Sequence, residues 1–182
     1  MELNTINYRI SDTSDKSPVP IPNEGHYFRR RGVKIQLKGL PHSLTHTLSS
    51  SPNSRLQSTD WSSPSGSVTV TDRRITYLAD VRIQGIETIL FPLGTLAIRN
   101  NDTFNQKVVK AVAYVNNFPV SVSFRFSKRG DAKDFISYAS MLQGSMMAAN
   151  RLTRVDLSQS LNQPPPGYHE VSHLERLPPY AA

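Results

Sequence analysis

The chain has 182 residues, enough for one domain of ordinary size with tails. It contains no cysteine, which excludes a disulfide framework, cysteine-ligated zinc and a cysteine nucleophile. Hydrophobic residues make up 37% and prolines number 13, so a folded core with flanks outside it is expected, and a net charge of +7 favours anionic partners.

Residues 1–25 combine Ser and Asp with alternating Pro18, Pro20 and Pro22. Little there can offset ordering entropy, so a disordered arm is expected. The first residues lack a basic-then-apolar signal pattern. The longest apolar stretch, Ile86 to Ile98, is too short for a membrane span and contains Glu87, Pro92 and Gly94. A soluble, intracellular protein is the expectation.

Order is expected from His26 to about Arg154. Val33, Ile35 and Leu37 alternate with Lys34, Gln36 and Lys38, the period of a half-buried strand. Residues 41–65 are Ser-rich and read as a long loop inserted between strands, although Trp61 needs somewhere to pack. Ser67–Val70, with Val68 and Val70 inward, turns at Thr71-Asp72-Arg73-Arg74 into Ile75, Tyr77 and Ala79, a hairpin. Ile89–Leu93 and Leu96–Ile98 read as a further strand pair, broken at Pro92 and Gly94, with a turn at Asn100-Asn101-Asp102. Val108–Val115 and Val120–Phe126 follow, joined by Asn116-Asn117-Phe118-Pro119; Val120, Val122, Phe124 and Phe126 share a face.

The period then changes. Asp131 is the expected N-cap of a helix to about 150, with Phe135, Tyr138 or Ala139, Leu142 and Met146 recurring at helical spacing. Many strands closed by one amphipathic helix make an α+β domain, a curved antiparallel sheet covered at one end. Beyond it, residues 155–182 form a Pro-rich tail.

That tail carries Pro165-Pro166-Gly167-Tyr168. WW domains bind such segments in polyproline II form on aromatic-lined grooves. Pro165 and Pro166 preset the extended backbone, which lowers the entropy lost on binding, and their rings stack in the groove. Tyr168 brings a flat apolar ring with a polar tip to a second pocket. A weaker copy, Leu177-Pro178-Pro179-Tyr180, has Leu177 in place of the first proline. Leu177, Pro178 and Tyr180 are its candidate contacts, and tandem WW domains engaging both copies would gain by effective concentration.

Other patterns carry less. His169-Glu170-Val171-Ser172-His173 matches the spelling of a zinc-protease helix, but Pro166 and Pro178 flank it and little chain follows for a third ligand. His42 and His46 lie four apart without nearby acids. No phosphate-binding Gly-rich loop, nucleophile elbow or paired carboxylates appear, so neither enzyme activity nor a cofactor nor a metal site is expected. The cations form small groups: Arg29-Arg30-Arg31, Arg73-Arg74, Lys107, Lys110, Arg125 and Lys128-Arg129. They read first as solvated strand faces and turn tips, with an anion-binding surface assembled in three dimensions as the alternative.

Gly66-Ser67-Val68-Thr69-Val70-Thr71-Asp72-Arg73-Arg74-Ile75-Thr76-Tyr77, then Phe91-Pro92-Leu93, Phe104, and Phe124-Arg125-Phe126 before the helix resemble the GRAM domain of the WW-domain-binding protein 2 family. The tail motif agrees, and the resemblance covers roughly residues 27–168. It implies a pleckstrin-homology-like fold, a seven-stranded, strongly bent antiparallel sheet capped by one C-terminal helix. It also implies an adaptor, cytoplasmic and nuclear, that binds WW domains of HECT-type ubiquitin ligases and transcriptional regulators, some members being transcription coactivators. The chain departs from the family in its Ser-rich insertion, its short tail and Asn105, where the family carries Gly. Pleckstrin-like domains hold phosphoinositides between basic strand loops, so Lys34, Lys38, Arg73 and Arg74 are the candidate lipid-binding residues of an alternative, membrane-binding reading. Direct nucleic-acid binding is not expected: the chain has no helix-turn-helix and no aromatic-basic interleaving.

Overall fold

The computed structural model describes residues 1–11, 15–41, 59–99, 107–115 and 117–160, with side chains through Arg151. In chain order the strands are β1 (Glu2–Leu3), β2 (Tyr8–Ile10), β3 (Lys16–Pro18), β4 (His26–Arg30), β5 (Lys34–Leu40), β6 (Thr59–Ser63), β7 (Gly66–Thr71), β8 (Arg74–Ile83), β9 (Ile86–Pro92), β10 (Leu96–Arg99), β11 (Val108–Val115) and β12 (Phe118–Arg125). One helix follows, α1 (Arg129–Ser160). The chain divides into two compact units, Met1–Met146 and Met147–Ala182. In the second, the described part is the end of α1.

The first unit is built from two antiparallel five-stranded sheets and a two-stranded one, β2-β3. The first has the order β1-β9-β8-β7-β4 and the second β10-β11-β12-β5-β6. β4 and β5 are consecutive, as are β6 and β7, and each pair carries the chain from one sheet to the other. β4 pairs with β7 in the first sheet and β5 with β6 in the second, so one long hairpin bends across both. This is the strongly bent sheet of the pleckstrin-homology-like fold, with one C-terminal helix as its cap.

The bend has a tight point at Gly66. A Cβ there would lie 2.5 Å from the Leu78 carbonyl oxygen and from the Tyr77 ring. The Tyr77 hydroxyl in turn donates to the Val33 carbonyl at 2.9 Å, fastening β8 to the strand crossover on the other sheet. Burial pushes the Tyr77 phenol up to about 12.

Alternation decides the core. Val68 and Val70, Ile75 and Tyr77, Ile89 and Phe91 point inward from the first sheet; Ile35 and Leu37, Val120, Val122 and Phe124 point inward from the second. Phe91 and Phe124 meet with centroids 6.0 Å apart. Along α1, Ala132, Phe135, Ala139 and Leu142 are buried at helical spacing, while Tyr138 is partly exposed. Phe135 lies 5.2 Å from Phe124, 5.4 Å from Phe126 and 5.8 Å from Phe28, so one side chain closes the aromatic cluster.

Several expectations change. Residues 1–25 carry β1, β2 and β3 where a disordered arm was expected. Their order comes from partners far along the chain: β1 pairs with β9, and the Asn4 side chain accepts from the backbone amides of Glu87 and Thr88. Ile6 and Pro18 are buried. The expected loop at 41–65 ends in β6, whose Trp61 is buried and donates to the Ile83 carbonyl at 2.8 Å. β9 and β10 are not a pair; they lie in different sheets. The helix begins at Arg129 rather than at Asp131. Asp131 therefore sits within the first turn, where its carboxylate accepts from Arg30 Nε at 2.8 Å. The helix runs on to Ser160, past the expected end near 150 and into the first residues of the expected tail. The expected turn at 100–102, His42 and His46, and residues 161–182 with their histidines and Pro-Tyr motifs lie outside the described residues.

Candidate functional site

The outer faces of the two sheets differ. Outward positions of the first sheet include Ser67, Thr69, Thr71, Thr76 and Thr88, all buried. The N-terminal arm covers them. Lys16 Nζ donates to the Ala79 and Asp80 carbonyls and to Glu87 Oε1, the last at 2.6 Å. The Glu87 carboxyl is held below the usual range by the bonds from Lys16 and Tyr8. Glu24 grips Arg74 through two bonds, Nε to Oε1 at 2.7 Å and a terminal nitrogen to Oε2 at 2.9 Å. Thr71 donates to the same carboxylate at 2.8 Å. Burial alone would raise the Glu24 carboxyl, but the bonds from Arg74, the Ile21 amide and Thr71 outweigh it and lower it to about 2.

The structure thus separates the four candidate lipid-binding residues. Arg74 is a structural cation, its side chain 11% exposed against a Glu24 side chain at 0%. Arg73 is exposed in the β7–β8 turn of the first sheet. Lys34 and Lys38 stand exposed on β5, in the second sheet. The arginine run is also engaged: Arg29 donates to the Lys16 carbonyl, Arg30 pairs with Asp131 and Arg31 with Asp15.

On the second sheet the period-2 alternation brings further cations beside Lys34 and Lys38. Lys34 is directly opposite Arg125 on β12, and Lys38 is opposite Ser121. Lys110 on β11 is opposite Ser123 on one side and Arg99 of β10 on the other. All five cations are exposed. Among the described residues, none of them has a salt bridge or a side-chain hydrogen bond. The described acid on these five strands is Asp60, exposed on edge strand β6.

Two shallow hollows lie on this face. One, of about 320 Å³, is lined by Lys34, Gln36, Ser62, Ser123 and Arg125 among others. The second, of about 430 Å³, is lined by Lys38, Arg99, Val112, Tyr114, Pro119 and Ser121 among others. Each offers two cations and at least one hydroxyl, a chemistry suited to phosphate oxygens. Among the described residues no group of His, Cys, Asp and Glu could hold a metal ion.

In the sequence Lys110 and Arg125 stand only among the scattered cations whose assembly into an anion-binding surface is the alternative, outside the four candidate residues, and Arg99 is not among them. The signal for each is its outward parity on an alternating strand. What parity does not disclose is that β12 lies between β5 and β11.

The strongly bent antiparallel sheets with one C-terminal helix as their cap have a pleckstrin-homology-like architecture. Neither a protein-family model nor a curated protein matches the chain. Among solved structures, the chain is similar to the Ran-binding domain of the nuclear complex component Nup2 from Ashbya gossypii, with a TM-score of 0.45 and 11% identity over 68% of this chain and 98% of that one. It is also similar to the Vps36 N-terminal PH domain, with a TM-score of 0.46 and 17% identity over 76% of this chain and 93% of that one.

Proposed function

We propose that the protein is an adaptor whose tail recruits WW-domain proteins. The observation that supports this is the Pro165-Pro166-Gly167-Tyr168 motif, which follows the folded unit Met1–Met146 in sequence. Its two prolines preset polyproline II and its tyrosine supplies the second anchor. The Leu177-Pro178-Pro179-Tyr180 copy adds a weaker contact. Partners of this kind include HECT-type ubiquitin ligases and transcriptional regulators, and with the latter the protein would act in the nucleus as a coactivator. Resemblance to the WW-domain-binding protein 2 family supports the same reading. Titrating the full chain against a panel of isolated WW domains tests it. Binding that is lost in Tyr168→Ala and only weakened in Tyr180→Ala is expected; silence across the panel would overturn the adaptor reading.

A second reading concerns the folded domain and does not depend on the tail. The bare cations of the second sheet favour binding of a polyanionic partner there, because two like-charged pairs, Lys34 with Arg125 and Arg99 with Lys110, stand directly opposite one another. Such pairs destabilise a sheet on their own. A bound anion reverses that sign.

A further inference from the structure

Resting on that second reading, we infer that Tyr114 is a phosphorylation site whose phosphate seats in the larger hollow against Lys38 and Arg99 and closes the second sheet to polyanionic partners.

The hydroxyls on this face are not equally open to a kinase. Ser121 and Ser123 lie on β12, paired on one side with β11 and on the other with β5. Ser62 sits between buried Trp61 and buried Ser63 on β6, so presenting its short side chain would uncover the tryptophan. Tyr114 differs. It is 55% exposed, and its hydroxyl makes no hydrogen bond among the described residues. The β10 ladder ends at Leu96 opposite Ala113, so no residue of β10 is in register with Tyr114. On the other side it faces Pro119, which has no amide to donate. Its carbonyl accepts from the exposed Met1 ammonium at 3.0 Å. From Tyr114 to the end of the hairpin the ladder holds the pairs Tyr114–Pro119 and Val115–Phe118. Fraying so short an end is a low-cost local opening.

The same residue lines the larger hollow together with Lys38, Arg99 and Ser121. The register sets Tyr114 two strands and one outward step from Lys38, and one strand and two outward steps from Arg99. With strands about 4.8 Å apart and outward residues about 6.7 Å apart, those Cα separations are about 12 and 14 Å. A phosphotyrosine side chain and extended lysine and arginine chains bridge spans of that size. The phosphate brings nearly two negative charges and three acceptor oxygens. Lys38 and Arg99 supply charged donors and Ser121 a neutral one. Neither cation is paired with an acid among the described residues, and Arg99 stands opposite Lys110. The phosphate thus relieves from within the chain the repulsion that a polyanionic partner relieves from outside, and the two compete. In the transfer, the Tyr114 oxygen takes the γ-phosphoryl group of ATP on a protein tyrosine kinase. The O–P bond forms, the bond from phosphorus to the ADP oxygen breaks, and the phenolic proton passes to the kinase's base.

The test incubates the full chain with ATP, magnesium and a panel of isolated tyrosine kinase domains, and locates phosphate by mass spectrometry. Modification of Tyr114 is expected; a panel that leaves Tyr114 bare overturns the inference. Phosphorus NMR then reads the phosphate itself, its resonance assigned by its loss in Tyr114→Phe. A solvated phosphotyrosine loses its second proton near pH ~6. Two neighbouring cations should lower that midpoint to roughly 5 or below. Lys38→Gln/Arg99→Gln should return it, while Arg73→Gln, on the first sheet, should leave it lowered. An unlowered midpoint in the parent, or one indifferent to the double variant, overturns the seat.

Heparin affinity separates this inference from the reading beneath it. The unmodified chain is expected to bind heparin, and phosphorylation to weaken that binding roughly tenfold, the scale of one charge-assisted hydrogen bond. Tyr114→Phe treated alike should keep its affinity, which removes any part played by the other tyrosines. Heparin binding unchanged by the phosphate overturns closure of the face. No heparin binding by the unmodified chain would end the polyanion reading and the closing role with it, while a lowered phosphorus midpoint would still establish the seat.

Discussion

On the first sheet, Ser67, Thr69, Thr71, Thr76 and Thr88 lie under the N-terminal arm, and the charges around them are matched: Lys16 with Glu87, Arg74 with Glu24. On the second sheet, Lys34, Lys38, Arg99, Lys110 and Arg125 stand in solvent, and register sets like charges opposite one another. The sheets share one core and one alternation rule, yet their outer surfaces follow opposite electrostatic logic. A matched, roofed face serves stability. An unmatched, open face costs stability, and such a cost points to a partner outside the chain. The difference also explains why Arg74 and Lys34, both basic strand residues, have different work.

The largest expected effect comes from breaking the match on the first sheet. Glu24→Ala leaves the Arg74 guanidinium buried without its carboxylate, which should cost about 3–5 kcal/mol in a urea melt. The same contact sets a pH dependence. The Glu24 carboxyl is lowered from 4.5 to about 2 in the folded chain. Its contribution is therefore fully present above 4.5 and lost as the pH falls towards about 2, where the folded form also becomes protonated. Glu24→Gln should be less stable at neutral pH and should lack this part of the acid dependence. Parallel acid profiles for the two proteins would mean that the grip on Arg74 contributes little.

Next in size is the joint between the two faces. Gly66 begins β7 just after the chain leaves β6, so it lies where the hairpin passes from the open sheet to the roofed one. Gly66→Ala must push a methyl group against the Leu78 carbonyl and the Tyr77 ring, and backbone cannot yield as a flexible side-chain end can. A loss of about 1–3 kcal/mol is expected, as for an overpacked core. If calorimetry finds the variant as stable as its parent, the close crossing is not a constraint on the bend.

What could be read along the chain follows from how far each interaction reaches. Val33-Ile35-Leu37 and Val120-Val122-Phe124-Phe126 announce their inward faces by local alternation, and Phe135 with Leu142 announces the helix. Tyr77 and Val68 place the hairpin correctly for the same reason. The arm was missed because its order comes from long-range partners: Asn4 to Glu87 and Thr88, Lys16 to Ala79, Glu24 to Arg74. No local pattern encodes these. The basic face was half legible. Lys34 and Lys38 were singled out, but Arg73 and Arg74 were grouped with them because two basic runs in strand-like segments look alike until the sheet order is known. Lys110, Arg125 and Arg99 needed the β5–β12–β11–β10 order to become neighbours. Asp131 lies close to the helix start, but its carboxylate is turned to Arg30 rather than to the first free amides.

The smallest expected effect tests the bare face directly and separates its cost from its use. Lys34 and Arg125 are directly opposite on neighbouring strands, and no acid is paired with either among the described residues. Replacing one member of such a pair by a neutral side chain of similar length removes repulsion without opening the core, since both positions face outward. Lys34→Gln should therefore stabilise the folded chain by about 0.2–1 kcal/mol at low salt. The gain should shrink as ionic strength rises, because exposed charges are screened over roughly 10 Å at 0.1 M salt. Thermal melts of both proteins across a salt series measure this. A variant that melts above its parent at low salt, and with it at high salt, shows a face held at a cost to the fold. A variant that melts below its parent at every salt concentration means that Lys34 supports the sheet, and the electrostatic argument for an anionic partner there fails.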